Sequence, residues 1–461
     1  MRLALGFLAC ASTLLACGSD PQPSAPVDAG PDTSVKPKDA GKDTGPPPYV
    51  PQGTKCVRAA DAGAPLPWVR PVDDAGTDAG VDAGDDSGTD AGDDGGTDGG
   101  SAIISADLLR PPPVVSSDGS VASLPVFVPI TFDGDPLRDE IEDFVASVGC
   151  SSYWHAVATP YGIGDGISAT PIRLPEVPPT TMTDAQVQTW LAKKINGDPS
   201  FPKPSVDVVY VIFFPQETVI DDGSGKSCSS FAGYHFSTDV GGKNAPYAVI
   251  PRCGGSLDSL TAVTSHELIE YATDPTPGQG GYLSVANEWI AWSLLGGSEV
   301  ADMCEHARYA NFTPNDYPFA VQRSWSNEQA FLGNDPCIPP DGPVWFIGTP
   351  ILPDMVTVSD YGQTIQAHGL KLAAGKSTTI DVRMQSSGAG TWTVSAQDIS
   401  VWLGSSPQLK FAFDKTTGKA GDVLHLTVTR TGTNSTYKAN PFMLRSSNAN
   451  QEHLWFGIVG D

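Results

Sequence analysis

At 461 residues the chain is too long for one ordinary domain, so two folded domains with tails are expected. Its net charge of −26 comes from 53 acidic against 27 basic residues, and much of the acid lies in an Asp/Gly/Ala tract before Ser101. With no basic runs, the composition excludes nucleic acid as a partner, and no stretch after the N-terminus is apolar enough to span a bilayer.

The chain begins MRLALGFLACASTLLACGSD: one positive charge, an apolar run, then small residues. That is the layout of an export signal over residues 1–16, and the run is too short to cross a bilayer. Leu14-Leu15-Ala16-Cys17 is similar to the lipobox of bacterial lipoproteins, which implies lipidation of Cys17 as the mature N-terminus. The expected product is exported and lipid-anchored at the bacterial cell envelope, outward-facing or periplasmic. Cys56, Cys150, Cys228, Cys253, Cys304 and Cys337 then remain. An even number in an exported chain favours disulfides, and without a C-x-x-C pair a cysteine zinc site is not expected.

Residues 17–100 read as a disordered linker of Pro, Asp, Ala, Gly, Ser and Thr, with almost nothing to bury. A short island at 49–72 holds Cys56 and Trp68. After it, the repeated D-A-G element reads as a self-repelling spacer; it lacks the spacing and closing Glu of a calcium loop.

Residues 101–340 read as an α+β domain. Ser123–Phe132 and Val206–Pro215 are short, apolar and β-branched, as buried strands are. Leu137, Ile141, Phe144 and Val148 fall at helical spacing. SSYWHAVATPYGIGDG reads as an aromatic, Gly-rich loop. DAQVQTWLAKKING reads as a helix with an Asp cap and an Asn-Gly stop. GYHFSTDV and APYAVIPRC supply shorter strands bearing His235 and Cys253. In DSLTAVTSHELIEYATDP, Asp258 or Ser259 caps a helix that Pro275 stops by about Thr273. The segment from Pro275 to Tyr309 reads as irregular.

Residues 341–461 change character. Ile380-Val382-Met384, Trp392-Val394-Ala396, Leu409-Phe411-Phe413 and Leu424-Leu426-Val428 alternate with polar residues, which predicts an antiparallel β-domain. Its length suits an immunoglobulin-like β-sandwich without a disulfide. Its expected job is recognition or spacing.

The chemistry concentrates on the helix before Pro275. His266 and Glu270 sit four apart and share a face, with Glu267 one step round. This is the layout of the zinc-protease helix H-E-x-x-H with Glu in place of the second His. A catalytic zinc takes three protein ligands and keeps a position for water. The third ligand can be His235, or Glu299 or Asp302 in GSEVADMC. Two nitrogens and an oxygen suit zinc; a carboxylate-heavy set shifts preference toward manganese, magnesium or calcium. Glu267 is then the base that takes a proton from water, and Glu299 or Asp302 can instead hold the spare N–H of His266.

The run from about Leu124 to Cys337 resembles the phosphate-induced, EXORDIUM-like extracellular proteins and related bacterial secreted proteins. The resemblance rests on SSYWHAVATPYGIG, VVYVIFFP, GYHFS, YAVIPRC, SHELIEYATDP, SEVADMC and VQRSWSNEQAFLGNDPC, in that order. It implies a zincin-like core and an extracellular location, and it leaves the reaction open. Ala232 stands where the family often has Cys before G-Y-H, with Cys228 nearby as the substitute. Beside this resemblance, the expected pairings are Cys304–Cys337, Cys228–Cys253 and Cys56–Cys150. Neither the lipid anchor nor the C-terminal β-domain belongs to it.

Two functions follow as expectations. One is a surface-anchored, metal-dependent, peptidase-like hydrolase acting on peptide or cell-surface polymer, with His306 or Tyr282 as candidate oxyanion stabilisers. The other is a non-enzymatic binding lipoprotein in which the metal is structural or absent. The sequence leaves oligomeric state open.

Overall fold

Buried strands that carry apolar residues on both faces need a layer of helix on each side. In the computed structural model, residues 55–57, 63–70, 106–117, 119–294, 297–360 and 362–461 are described. The expected export signal, Cys17 and most of the expected linker lie outside them. The first sheet is built on β1 (Val126–Thr131), β2 (Val208–Phe214), β3 (Tyr234–Asp239) and β4 (Asn244–Pro251), in the order β1-β2-β4-β3. β1, β2 and β4 run parallel, while β3 pairs antiparallel with β4 and forms the outer strand. Two short strands, Ile167–Ser168 and Ile172–Arg173, add parallel to β1 on the far side.

Alternation along these strands divides the core. Val128, Ile130, Tyr210, Ile212 and Val249 pack with Val187, Leu191 and Ile195 of helix α3 (Asp184–Gly197). Phe127, Val209, Val211, Ala248 and Ile250 face the opposite way. There they meet α1 (Arg138–Val148), α2 (Ser152–Ala158) and α4 (Leu257–Thr273). α4 is buried on nearly every side, so it crosses the interior of this layer.

Several local expectations change. Ser256, not Asp258 or Ser259, caps α4, its Oγ accepting from the Ser259 amide at 3.3 Å. Thr183, not Asp184, caps α3, in a capping box with Gln186. The predicted loop SSYWHAVATPYGIGDG holds α2 and a 3-10 turn, Thr159–Tyr161. Ser151 Oγ caps α2 through the Trp154 amide, and Tyr153, Trp154 and Val157 are buried. Aromatic content masks a helix whose apolar face is sunk in the core. The segment after Pro275 likewise contains a 3-10 helix, Asn287–Trp292, and a short helix α5, Asp302–Glu305.

The C-terminal part is two packed sheets. Strands Phe346–Pro350, Lys376–Ser386, Val423–Arg430 and Leu409–Phe413 form one. The other runs Asp354–Asp360, Gln363–Lys371, Glu452–Gly460, Asn440–Ser447, Thr391–Asp398, Thr417–Lys419. Phe346 against Trp392 and Phe411 against Phe442 join the two sheets. One pairing breaks the expected antiparallel pattern: Gln363–Lys371 runs parallel to Glu452–Gly460. That last strand is buried along most of its length instead of alternating. The 3-10 helix packs against it, where Trp292 meets Trp455 at 5.3 Å and Phe456 at 5.2 Å.

Candidate metal centre

Three segments converge on one side of α4. Along β3, Tyr234 and Phe236 turn toward the α3 side, so His235 turns toward α4. Close approach of β3 needs Gly233: a Cβ there would lie 2.7 Å from Val263 Cγ1 and 2.8 Å from Glu267 Oε1. On α4, one helical turn brings His266, Glu267 and Glu270 to the same end. The third segment leads into α5, where Gly297 (φ +149°) sits so close to the Asp302 carboxylate that no side chain fits.

Gln322 holds the third segment in place. Its backbone N–H donates to Ser265 Oγ on α4 at 2.9 Å, and its side-chain amide donates to the Ala301 carbonyl at 3.0 Å. Tyr153 of α2 donates to the Gln322 carbonyl at 2.8 Å, which fixes that strand from below. The Asp302 backbone N–H then donates to Glu270 Oε1 at 3.1 Å.

The other Glu270 oxygen, Oε2, lies 3.1 Å from His266 Nε2 and 3.7 Å from His235 Nδ1. His235 Nδ1 is also 3.6 Å from Glu267 Oε2, and its Nε2 is 3.5 Å from Glu299 Oε2. His266 Nε2 is 3.5 Å from Asp302 Oδ1. The ligand candidates His235, His266, Glu270, Glu299 and Asp302 and the expected base Glu267 all lie on this side of α4, but in two groups: His235 with Glu267 and Glu270, and His266 with Asp302. Glu305 joins them, grouped with His266 and Asp302. It stands three residues after Asp302 in D-M-C-E, one turn on, which is the signal that identifies it. His306 and Tyr282 sit to the side: His306 Nε2 is 3.2 Å from Glu305 Oε1, and Tyr282 packs edge-on against Tyr161.

Burial makes this grouping expensive without a counter-charge. The side chains of His235, Glu267 and Glu270 are each only 6% exposed. Burial lowers the proton affinity of His235, but Glu299, Glu267 and Glu270 outweigh it and carry its pKa to about 10. His266 rises well above the usual imidazole range, Glu270 and Asp302 overcoming burial. Burial first, then the Asp302 charge, raises Glu270 to about 7 and Glu305 to about 8. Burial pushes Glu299 well up.

These groups fit a divalent cation. His235 Nε2 and Glu299 Oε2 are both buried without a hydrogen-bond partner, although 3.5 Å apart. Ligand atoms about 2.1 Å from a tetrahedral zinc lie about 3.4 Å from one another, close to the spacing of the Glu270 and histidine atoms. Two imidazoles among carboxylates suit zinc or manganese better than calcium.

Three disulfides brace the surroundings: Cys56–Cys150, Cys228–Cys253 and Cys304–Cys337. The pairs are those expected beside the family resemblance, and they are consistent with an exported protein. Cys304 is part of α5, so its disulfide ties the Asp302 segment to Cys337. No helix among the described residues is long and apolar enough to cross a membrane.

The class of protein on view is an α+β chain with a buried histidine–carboxylate cluster and a two-sheet C-terminal part. No family model matches the chain, and no curated protein matches it. Among solved structures, the trigonal form of titin M4 is 15% identical, with 20% of this chain and 84% of that chain covered and a TM-score of 0.13. That score is too low to define a fold.

Proposed function

We propose that the protein is an exported, metal-dependent hydrolase of the peptidase-like kind, with a zincin-like first part and an immunoglobulin-like second part. The observation that carries the reading is Glu270 Oε2, which faces both His266 Nε2 and His235 Nδ1 inside a buried acidic cluster. In this reading His235, His266 and Glu270 hold the cation, zinc before manganese or calcium. When bound, such a cation supplies Lewis-acid polarisation and a source of hydroxide near neutral pH. Glu267 takes the proton from water and passes it to the leaving amine. Glu299 faces the spare Nε2 of His235 and orients that ring, while Asp302 faces the same His266 Nε2 as Glu270 and offers the cation a further oxygen. β3 is the outer strand of its sheet, so its edge offers backbone groups to an extended peptide. The lipid anchor at Cys17 and the EXORDIUM-like kinship belong to the same proposal.

The deep burial of Glu267 and Glu270 favours a second reading, a non-enzymatic binding lipoprotein whose cation is structural. Metal content of the full chain separates the readings, beside His266→Ala and Glu270→Ala. A bound equivalent lost in both variants, with peptide hydrolysis that Glu267→Gln abolishes, supports the hydrolase. The same metal without hydrolysis supports the structural cation, and no metal refutes the hydrolase and leaves a binding lipoprotein without a cation.

A further inference from the structure

A second group of ligand-type side chains lies away from α4, where the two parts of the chain meet. Asp335 follows α6 (Asn327–Leu332), Asp341 lies on the connector to the first sandwich strand, and His453 opens the last strand. One atom from each, an imidazole nitrogen and two carboxylate oxygens, lies within 4.8 Å of the others. Each group is held by its neighbours. Asp335 Oδ1 accepts from the Cys337 amide at 3.0 Å and sits 4.0 Å from His453 Nδ1. Asp341 Oδ1 accepts from Gln451 Nε2 at 3.0 Å. The His453 ring is wedged edge-on against Phe346 at 4.9 Å.

The second, independent observation is His453 itself. It is only 8% exposed, and its Nε2 is buried without a hydrogen-bond partner. A buried imidazole nitrogen left unpaired costs free energy unless something binds it. Asp341 and His453 line a cavity of about 40 Å³, room enough for a single ion or water. Arg323 also lines it, but its guanidinium donates to the Tyr309 carbonyl and lies 4.0 Å from the Phe312 ring centre. Asp341 lines the cavity and Asp335 stands beside it, so the cluster's two carboxylates outnumber that one cation.

We propose that Asp335, Asp341 and His453 form a structural site for a divalent cation of the zinc or manganese class, fastening the connector to the last sandwich strand. One nitrogen and two oxygens match that class better than calcium or magnesium, which take oxygen alone. The site stands independently of the α4 centre.

The test is zinc content and zinc titration of the full chain as wild type, Glu270→Ala, His453→Phe and Asp341→Asn. Wild type should hold two equivalents, and each variant should lose one. The His453→Phe and Asp341→Asn chains should also lose the part of the zinc-induced rise in Tm that Glu270→Ala retains. If the α4 centre binds nothing, one equivalent remains that His453→Phe and Asp341→Asn remove and Glu270→Ala does not. A Glu270→Ala chain that is folded and holds no zinc overturns the junction site, as does unchanged stoichiometry in folded Asp341→Asn. The double change His266→Ala with Glu270→Ala removes a ligand from each α4 group and leaves the junction intact, so the zinc content of that chain decides even if the junction variants fail to fold.

Discussion

The backbone N–H of Asp302 donates to Oε1 of Glu270 at 3.1 Å, which leaves the other Glu270 oxygen aimed at His266. One main-chain hydrogen bond thus orients a carboxylate that the helix alone would leave free to rotate. It also ties α5 to α4 at the point where their side chains share a cluster.

Replacing Glu270 by Gln separates metal binding from fold. In the metal-free chain the change removes a buried carboxylate among like charges, so the unfolding midpoint should hold or rise. Zinc affinity should fall by about 10–100-fold or more, because an amide is a poor ligand. Chelator competition and thermal unfolding with and without zinc check both halves.

Metal binding should release protons. The folded-state pKa of His235 is raised to about 10 and that of Glu270 to about 7. Both groups must be deprotonated to serve as ligands, so zinc uptake at neutral pH expels at least one proton. Calorimetry in buffers of different ionisation enthalpy measures the number. For the metal-free chain the sign follows from the raised values. The His235 contribution to stability is fully present below its unfolded value of 6.5 and is lost as pH rises through about 10. The Glu270 contribution is present below 4.5 and lost through about 7. Midpoints measured in chelator should therefore fall from mildly acidic to alkaline pH, and bound zinc should flatten the decline.

Gly233→Ala tests how closely β3 must approach α4. The added methyl meets Val263 and Glu267, so stability should drop by about 1–3 kcal/mol, as overpacking does. Displacement of His235 should also weaken zinc binding. An unchanged denaturation midpoint would show that the strand has room to move.

Breaking Cys304–Cys337 should cost stability and loosen α5. The cysteines are 33 residues apart, and a loop of that size corresponds to about 3–4 kcal/mol of unfolded-chain entropy. The paired change Cys304→Ser with Cys337→Ser should lower the midpoint. It should also weaken zinc binding more than the paired change Cys228→Ser with Cys253→Ser, because only the first anchors Asp302 and Glu305. Equal effects of the two on zinc would refute that positioning role.

Glu267→Gln should leave zinc stoichiometry unchanged while reducing peptide hydrolysis by about 100-fold or more, the range for loss of a general base. Metal analysis beside a peptide-cleavage assay checks it.

The α4 span was legible because its signals are local. Pro275 bars helical geometry at Asp274, and the four-residue spacing of His266 and Glu270 follows from the pitch of any helix. Strand alternation in the C-terminal part, as at Ile380-Val382-Met384, was legible for the same reason. The sequence by itself therefore determined which residues share a helix face, which strands alternate and which cysteines are available to pair. Only the tertiary structure decided that His235 faces α4, that Asp302 lends its amide to Glu270, that Glu305 joins the cluster, and that His453 meets Asp335 and Asp341. Those contacts join segments from about 30 to more than 100 residues apart, and such pairings depend on how sheets and helices pack, which no local period records.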